Sequence, residues 1–146
     1  MAANPLIPQG VLNRLITSMV VVNFPELNVV ASYLGKGSIE LDFTGNVTTE
    51  IPTLTGAVMS PEPYQVVGIT LNLLKTQNLA NLWKGQYETN TLLGPINVFT
   101  DASQFPKFGF FNCAIQGLRG MNLGGTDAGY NLNLVGYYLT NQNLWP

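Results

Sequence analysis

Apolar and polar positions alternate mostly with period two along this chain, the pattern of strands whose two faces meet different surroundings. Ile16 to Phe24 is rich in Val and Ile and stops at Pro25. Leu27 to Leu34 reads as a second strand, ended by a turn at Gly35-Lys36-Gly37. Ser38 to Thr44 alternates cleanly, which predicts a strand with one wet face, and Gly45-Asn46 turns the chain. Val47 to Met59 reads as a long strand in which Pro52 marks an edge, an irregularity or the base of a protruding loop. Ser60-Pro61-Glu62-Pro63 predicts a turn, and Tyr64 to Leu74 the return strand. In that strand Val67, Ile69, Leu71 and Leu73 make an apolar face, and Val66, Gly68, Thr70 and Asn72 a small or polar one. The two segments are expected to pair as one long hairpin.

The period changes after Lys75. Leu79, Leu82, Trp83 and Tyr87 fall at i, i+3, i+4 and i+8, one stripe of a helix, and Thr76 stands where a cap belongs. A short helix around residues 77–87 is expected, held by docking Leu79, Leu82 and Trp83 on a sheet. Beyond it Pro95 to Asp101, Phe105 to Leu118 and Tyr130 to Leu139 read as strands, with a glycine-rich loop from Arg119 to Ala128. In the last strand Tyr130, Leu132, Leu134, Gly136 and Tyr138 share one face, and Asn131, Asn133, Val135 and Tyr137 the other. Many strands and one helix predict a mainly β domain spanning residues 1–146: two packed antiparallel sheets, as a sandwich or barrel, with one short flanking α-helix.

Composition sharpens this picture at one point. A length of 146 residues fits one domain, and 46% hydrophobic residues is ordinary. Charged residues make up only 10%, against about 25% in most soluble domains. Six Lys/Arg and eight Asp/Glu leave a net charge of −2, which excludes a basic protein that grips phosphate through dense cations. The apolar content excludes an acidic disordered chain. Asn, Gln, Thr, Ser and Gly carry the surface instead. A monomer with so few charges is poorly protected against association, whereas a subunit that buries its surface against copies of itself needs fewer.

The chain has no histidine, which removes Ser-His-Asp and Cys-His catalysis, His metal ligation and His pH switching together. The lone Cys113 can form neither an internal disulfide nor a thiolate metal site, and reads as a small buried thiol of a chain folding in a reducing cytoplasm. Met1 to Pro5 shows no secretory leader pattern, and the apolar run Met19 to Val22 is too short to span a membrane. Gly120 to Gly125 lacks the Gly-Lys-Ser/Thr of a phosphate loop and leads into a strand, so it reads as a mobile hairpin tip. Glu40 and Asp42 lie on one strand face, roughly 7 Å apart, a spacing that suits a solvated face better than paired acid/base chemistry. Asp101 and Asp127 are isolated, and no oxygen-ligated metal is expected. Phe105, Phe108, Phe110, Phe111, Tyr137 and Tyr138 divide between a core face and a protein interface, with no basic groove beside them. No catalytic residue, metal or cofactor is expected.

The stretch Gly56-Ala57-Val58-Met59-Ser60-Pro61-Glu62-Pro63-Tyr64-Gln65-Val66-Val67-Gly68-Ile69-Thr70-Leu71, followed by Thr76-Gln77-Asn78-Leu79-Ala80-Asn81-Leu82-Trp83, resembles the strand, turn, return strand and helix of the tail tube proteins of contractile-tailed bacteriophages. Gly124 to Leu144 is similar to that family's terminal hairpin strand. The resemblance implies six-subunit rings whose inner sheets join into one barrel, stacked as a hollow tube in the virion through which DNA passes without specific binding. It implies as partners further copies of the chain and sheath, tape-measure and baseplate proteins, with no membrane and no catalytic site. Glu40, Asp42 and Glu50 are the candidate lumen-lining residues. Asn46, Thr48, Thr49 and Pro52, or Gly124 and Gly125, are the candidates for an inter-ring arm, because Thr and Asn can bond backbone groups without burying a charge. A type VI secretion tube subunit, and a baseplate- or fibre-associated β-sandwich binding module, are the alternatives.

Overall fold

The computed structural model describes residues 16–101 and 104–144; Met1 to Pro5, read above for a leader pattern, lie outside them. The strands are β1 (Thr17–Val21), β2 (Leu34–Phe43), β3 (Thr48–Pro52), β4 (Ala57–Pro61), β5 (Tyr64–Leu74), β6 (Leu92–Thr100), β7 (Lys107–Arg119) and β8 (Gly129–Leu139). One helix, α1 (Leu79–Thr89), joins β5 to β6. Six strands form an antiparallel sheet in the order β1-β6-β7-β8-β5-β2, and β3 and β4 pair as a separate two-stranded ribbon.

The chain is therefore mainly β, but the two packed sheets expected above are replaced by one curled sheet. Its edge strands β1 and β2 approach each other, and the hydroxyl oxygens of Thr17 and Ser38 meet at 2.6 Å across the seam. The alternation in β5 and β8 tells which face is apolar, not what covers it; here the sheet's own curvature does. Val67, Ile69, Leu71 and Leu73 of β5 face Leu132, Leu134 and Tyr130 of β8 in one core with Met19, Ile96, Val98, Phe110 and Ile115. Each such aliphatic side chain taken fully from water contributes about 1.5–3 kcal/mol.

Three local expectations need correction. Val47 to Met59 is not one strand paired with Tyr64 to Leu74: it folds back on itself as β3 and β4, and β5 pairs with β2 and β8 instead. Gly35-Lys36-Gly37 is not a turn but a bulge inside β2, where five steps from Leu34 to Ile39 meet two steps of β5 from Leu73 to Leu71. Ser38 closes it at φ 56°. Leu27 to Leu34 is not a strand: two short 3-10 turns, Pro25–Leu27 and Ala31–Tyr33, flank a single bridge from Val29 to Met19.

The helix lies two residues later than the sequence suggests, and Asn78 rather than Thr76 precedes it, without a side-chain cap. Leu79 and Trp83 are buried, the latter completely. Leu82 stands 38% exposed and Tyr87 40%, so the docking stripe narrows to Leu79 and Trp83. Leu79 and Trp83 join the core of the curled sheet, and α1 also meets the 3-10 turn Pro25–Leu27.

Candidate functional site

The outer face of the curled sheet is built from the residues that alternate with the core. Four rows run across β2, β5, β8 and β7 or part of that set. Glu40 stands beside Thr70, Thr70 beside Asn133, and Asn133 beside Gly117. Asp42 is followed across the strands by Gly68, Val135 and Ala114. Asn72, Asn131 and Arg119 make a third row. The amide network is satisfied locally: Thr70 Oγ1 donates to Asn133 Oδ1 at 3.3 Å, and Asn72 Nδ2 donates to the Ser38 carbonyl at 2.9 Å. β5 and β8 have eleven residues each and no charged side chain between them. Charge near this face is confined to its flanks, Lys36, Glu40 and Asp42 on β2 and Lys107 and Arg119 on β7.

The fourth row differs. Val66, Tyr137 and Phe111 lie side by side, with Tyr64 and Leu139 next to them, and all five are 36–47% exposed. The Tyr64 and Tyr137 rings are 4.9 Å apart. The outer face thus has a polar end, whose middle strands carry no charge, and an apolar end. The sequence signalled the first through Asn131 and Asn133; it signalled the second only faintly, because Tyr137 breaks an otherwise polar alternation and its neighbours come from two other strands.

The β3–β4 ribbon projects as an arm beyond the apolar end. Its tip is closed by the Thr53 N–H donating to the Gly56 carbonyl at 2.8 Å. Leu54 at the tip is fully exposed, and Ile51, Val58 and Met59 are about half exposed. The base is held firmly. The Glu62 N–H donates to the Val47 carbonyl at 2.8 Å, and Asn141 Nδ2 donates to the carbonyls of both Val47 and Glu62, at 3.0 and 2.7 Å. Thr49 Oγ1 donates to Glu62 Oε1 at 3.1 Å, and Gln65 Nε2 to the Gly45 carbonyl at 3.1 Å. Asn46, Thr48, Thr49 and Pro52 all fall in this arm or its base, as does Glu50. Of the three candidate lining residues, only Glu40 and Asp42 share the sheet face.

Gly124 and Gly125 sit at the opposite end of the molecule. Tyr64 pairs with Leu139 at the arm end of β5, and Leu74 with Gly129 at the loop end. Ten residue steps of strand separate these ends by roughly 33 Å. The loop is tethered rather than a free tip. Lys75 Nζ donates to the carbonyls of Asn122 and, at 2.9 Å, Asp127, and the Lys75 N–H donates to the Ala128 carbonyl at 2.8 Å. Asn122 and Asp127 tighten it further by accepting from the N–H groups of Gly124 and Gly129. Between this loop and α1 runs a groove of about 440 Å³, walled by Ala80, Tyr87, Leu118, Met121, Leu123 and Tyr130.

Cys113 is buried, and burial pushes its thiol up to about 12, against a weaker lowering by the backbone at Ile96. It is held as an unreactive thiol. Among the described residues no three His, Cys, Asp or Glu side chains stand close enough to hold a metal ion, and no helix is long and apolar enough to cross a membrane. The arrangement is one of surfaces: a polar face, an apolar patch, an arm and a groove. No protein family and no curated protein matches this chain.

Proposed function

We propose that this chain is a structural subunit that assembles with copies of itself into six-membered rings, stacked as a hollow tube with the outer sheet face turned to the lumen. The observation that carries this reading is the absence of charge from β5 and β8, the middle of that face. A surface of Asn, Thr and Gly stays hydrated yet gives a passing phosphate backbone no cation to hold it, and each cation contact would add affinity and resist transit. The charges stand only on the flanks, Lys36, Glu40 and Asp42 on β2 and Lys107 and Arg119 on β7, away from the middle of the face. The patch of Tyr64, Val66, Phe111, Tyr137 and Leu139 is where neighbours in a ring would meet, since exposed apolar area of this kind marks an interface. The setting suggested by the sequence resemblance is the tail tube of a contractile-tailed bacteriophage, with a type VI secretion tube as its sibling.

Negative-stain microscopy of the purified chain tests this. Rings and tubes are expected. A variant in which Thr48 to Pro61 is replaced by two glycines, joining Val47 to Glu62 where they already bond, is expected to remain folded and to form no long tubes. A native chain that stays monomeric at high concentration overturns the reading, and tubes of normal length from the variant remove the arm from it.

A further inference from the structure

The arm and the groove are two unpaired apolar features at opposite ends of the same strands. Among the described residues, the β3 and β4 strands make extensive contact only with each other. Leu54 at the arm tip is fully exposed, and Leu123 on the groove wall is 86% exposed. Their charges are complementary. From Thr44 to Pro61 the arm carries a single charged residue, Glu50, whereas the groove is rimmed by Lys75, Lys84 and Glu88, one net positive charge. The groove is also a built feature. One wall is the loop that Lys75 holds by two carbonyls, and the other is α1, which carries the exposed Lys84–Glu88 pair at 2.5 Å on its rim. Its floor includes Tyr130, whose buried hydroxyl has no partner among the described residues.

We propose that the groove between α1 and the Gly120–Ala128 loop receives the arm tip of a second copy of this chain, Leu54 seating against Met121 and Leu123 while Glu50 approaches the Lys75 and Lys84 rim. The inference rests on the self-assembly proposed above and adds to it the receiving surface. The contact joins unlike surfaces, so it does not close on itself. Because arm and groove lie at opposite ends of β5, translating one copy along the strand direction brings them together and leaves a free arm and a free groove for the next copy.

Thiol cross-linking reads the contact directly, and the buried native Cys113 leaves the background clean. Leu54→Cys and Leu123→Cys chains, both substituted at exposed positions, are prepared separately, mixed under assembling conditions and oxidised with diamide. The expected product is a band at twice the 15.9 kDa chain mass from the mixture, absent from either variant alone, and a ladder from the double variant. Particles visible by microscopy without that band overturn the groove as receiver while leaving assembly standing. A chain that forms no particles overturns both. A Leu54→Cys band with no partner variant present places tip against tip and overturns the assignment, and so does a band between Leu123→Cys and Leu12→Cys chains in place of the Leu54 pairing, which would seat residues 1–15 in the groove.

Discussion

Gly136 of β8 lies directly against Cys113 of β7 in the core. A Cβ there would stand 2.6 Å from Cys113 Sγ and 3.4 Å from the Phe111 carbonyl oxygen, with Cys113 itself buried. The clash is with the buried Cys113 thiol, so a methyl group forces either that side chain off its rotamer or β8 away from β7. Gly136→Ala is expected to cost about 1–3 kcal/mol in urea denaturation. Cys113→Ala opens the space that the new methyl needs, so the double variant is expected to lose less than the two single losses added together. Additive losses would show that the Phe111 carbonyl, not the thiol, sets the limit. Neither constraint is visible in the sequence: Gly136 reads there as a small residue on an apolar face, and Cys113 as a small buried thiol, with nothing to say that they touch.

Among the elements, β5, β8 and α1 were the most legible, because each has one face in the core and one out of it. Val67, Ile69, Leu71 and Leu73 are buried where their spacing put them. The β3–β4 arm was illegible as two strands because both its faces meet solvent, so no alternation marks where Thr53 to Gly56 turns. Leu27 to Leu34 was misread for the opposite reason: Leu27 and Val29 are buried, but the chain between Pro25 and Tyr33 reaches the core by tight turns rather than by extension. Of the site, the polar row residues and the arm segment were legible, whereas the apolar patch and the groove come from strands far apart in sequence. The helix gives a clear contrast between its two apolar neighbours. Trp83→Ala is expected to cost about 3–5 kcal/mol and to loosen α1 from the curled sheet. Leu82→Ala, at a position more than a third exposed, should stay within about 0.5 kcal/mol. Thermal unfolding followed by far-ultraviolet circular dichroism distinguishes them; equal losses would mean that α1 docks through both.

For the whole molecule, stability should fall on the alkaline side. Burial raises the Cys113 thiol from 9.0 to about 12 and the Tyr130 hydroxyl from 10.0 to about 12. The unfolded chain therefore releases these protons first, and the native state binds more protons between about pH 9 and 12. Their contribution is complete below pH 9.0 and is lost as pH rises towards 12, so the urea midpoint at pH 10.5 should lie below that at pH 8. Cys113→Ala should lessen the drop, and an unchanged drop would assign it elsewhere. The two edges of the curled sheet carry a different consequence. β1 spends its outer edge internally: Met19 and Val29 exchange both backbone bonds at 2.8 and 2.9 Å, and the Val21 N–H donates to Asn28 Oδ1 at 2.9 Å. β2 breaks its own edge with the bulge at Gly35-Lys36-Gly37, which sets a lysine in the row where a foreign strand would have to lie. A charge and a bulge at an edge are the usual safeguards against strand-to-strand fusion. Such safeguards matter for a chain so rich in β structure and poor in charge, the more so at the high local concentration that the proposed assembly would bring. With both edges blunted, amyloid-type growth has no template on the barrel, and the molecule can be sociable through its side chains without being sticky through its backbone.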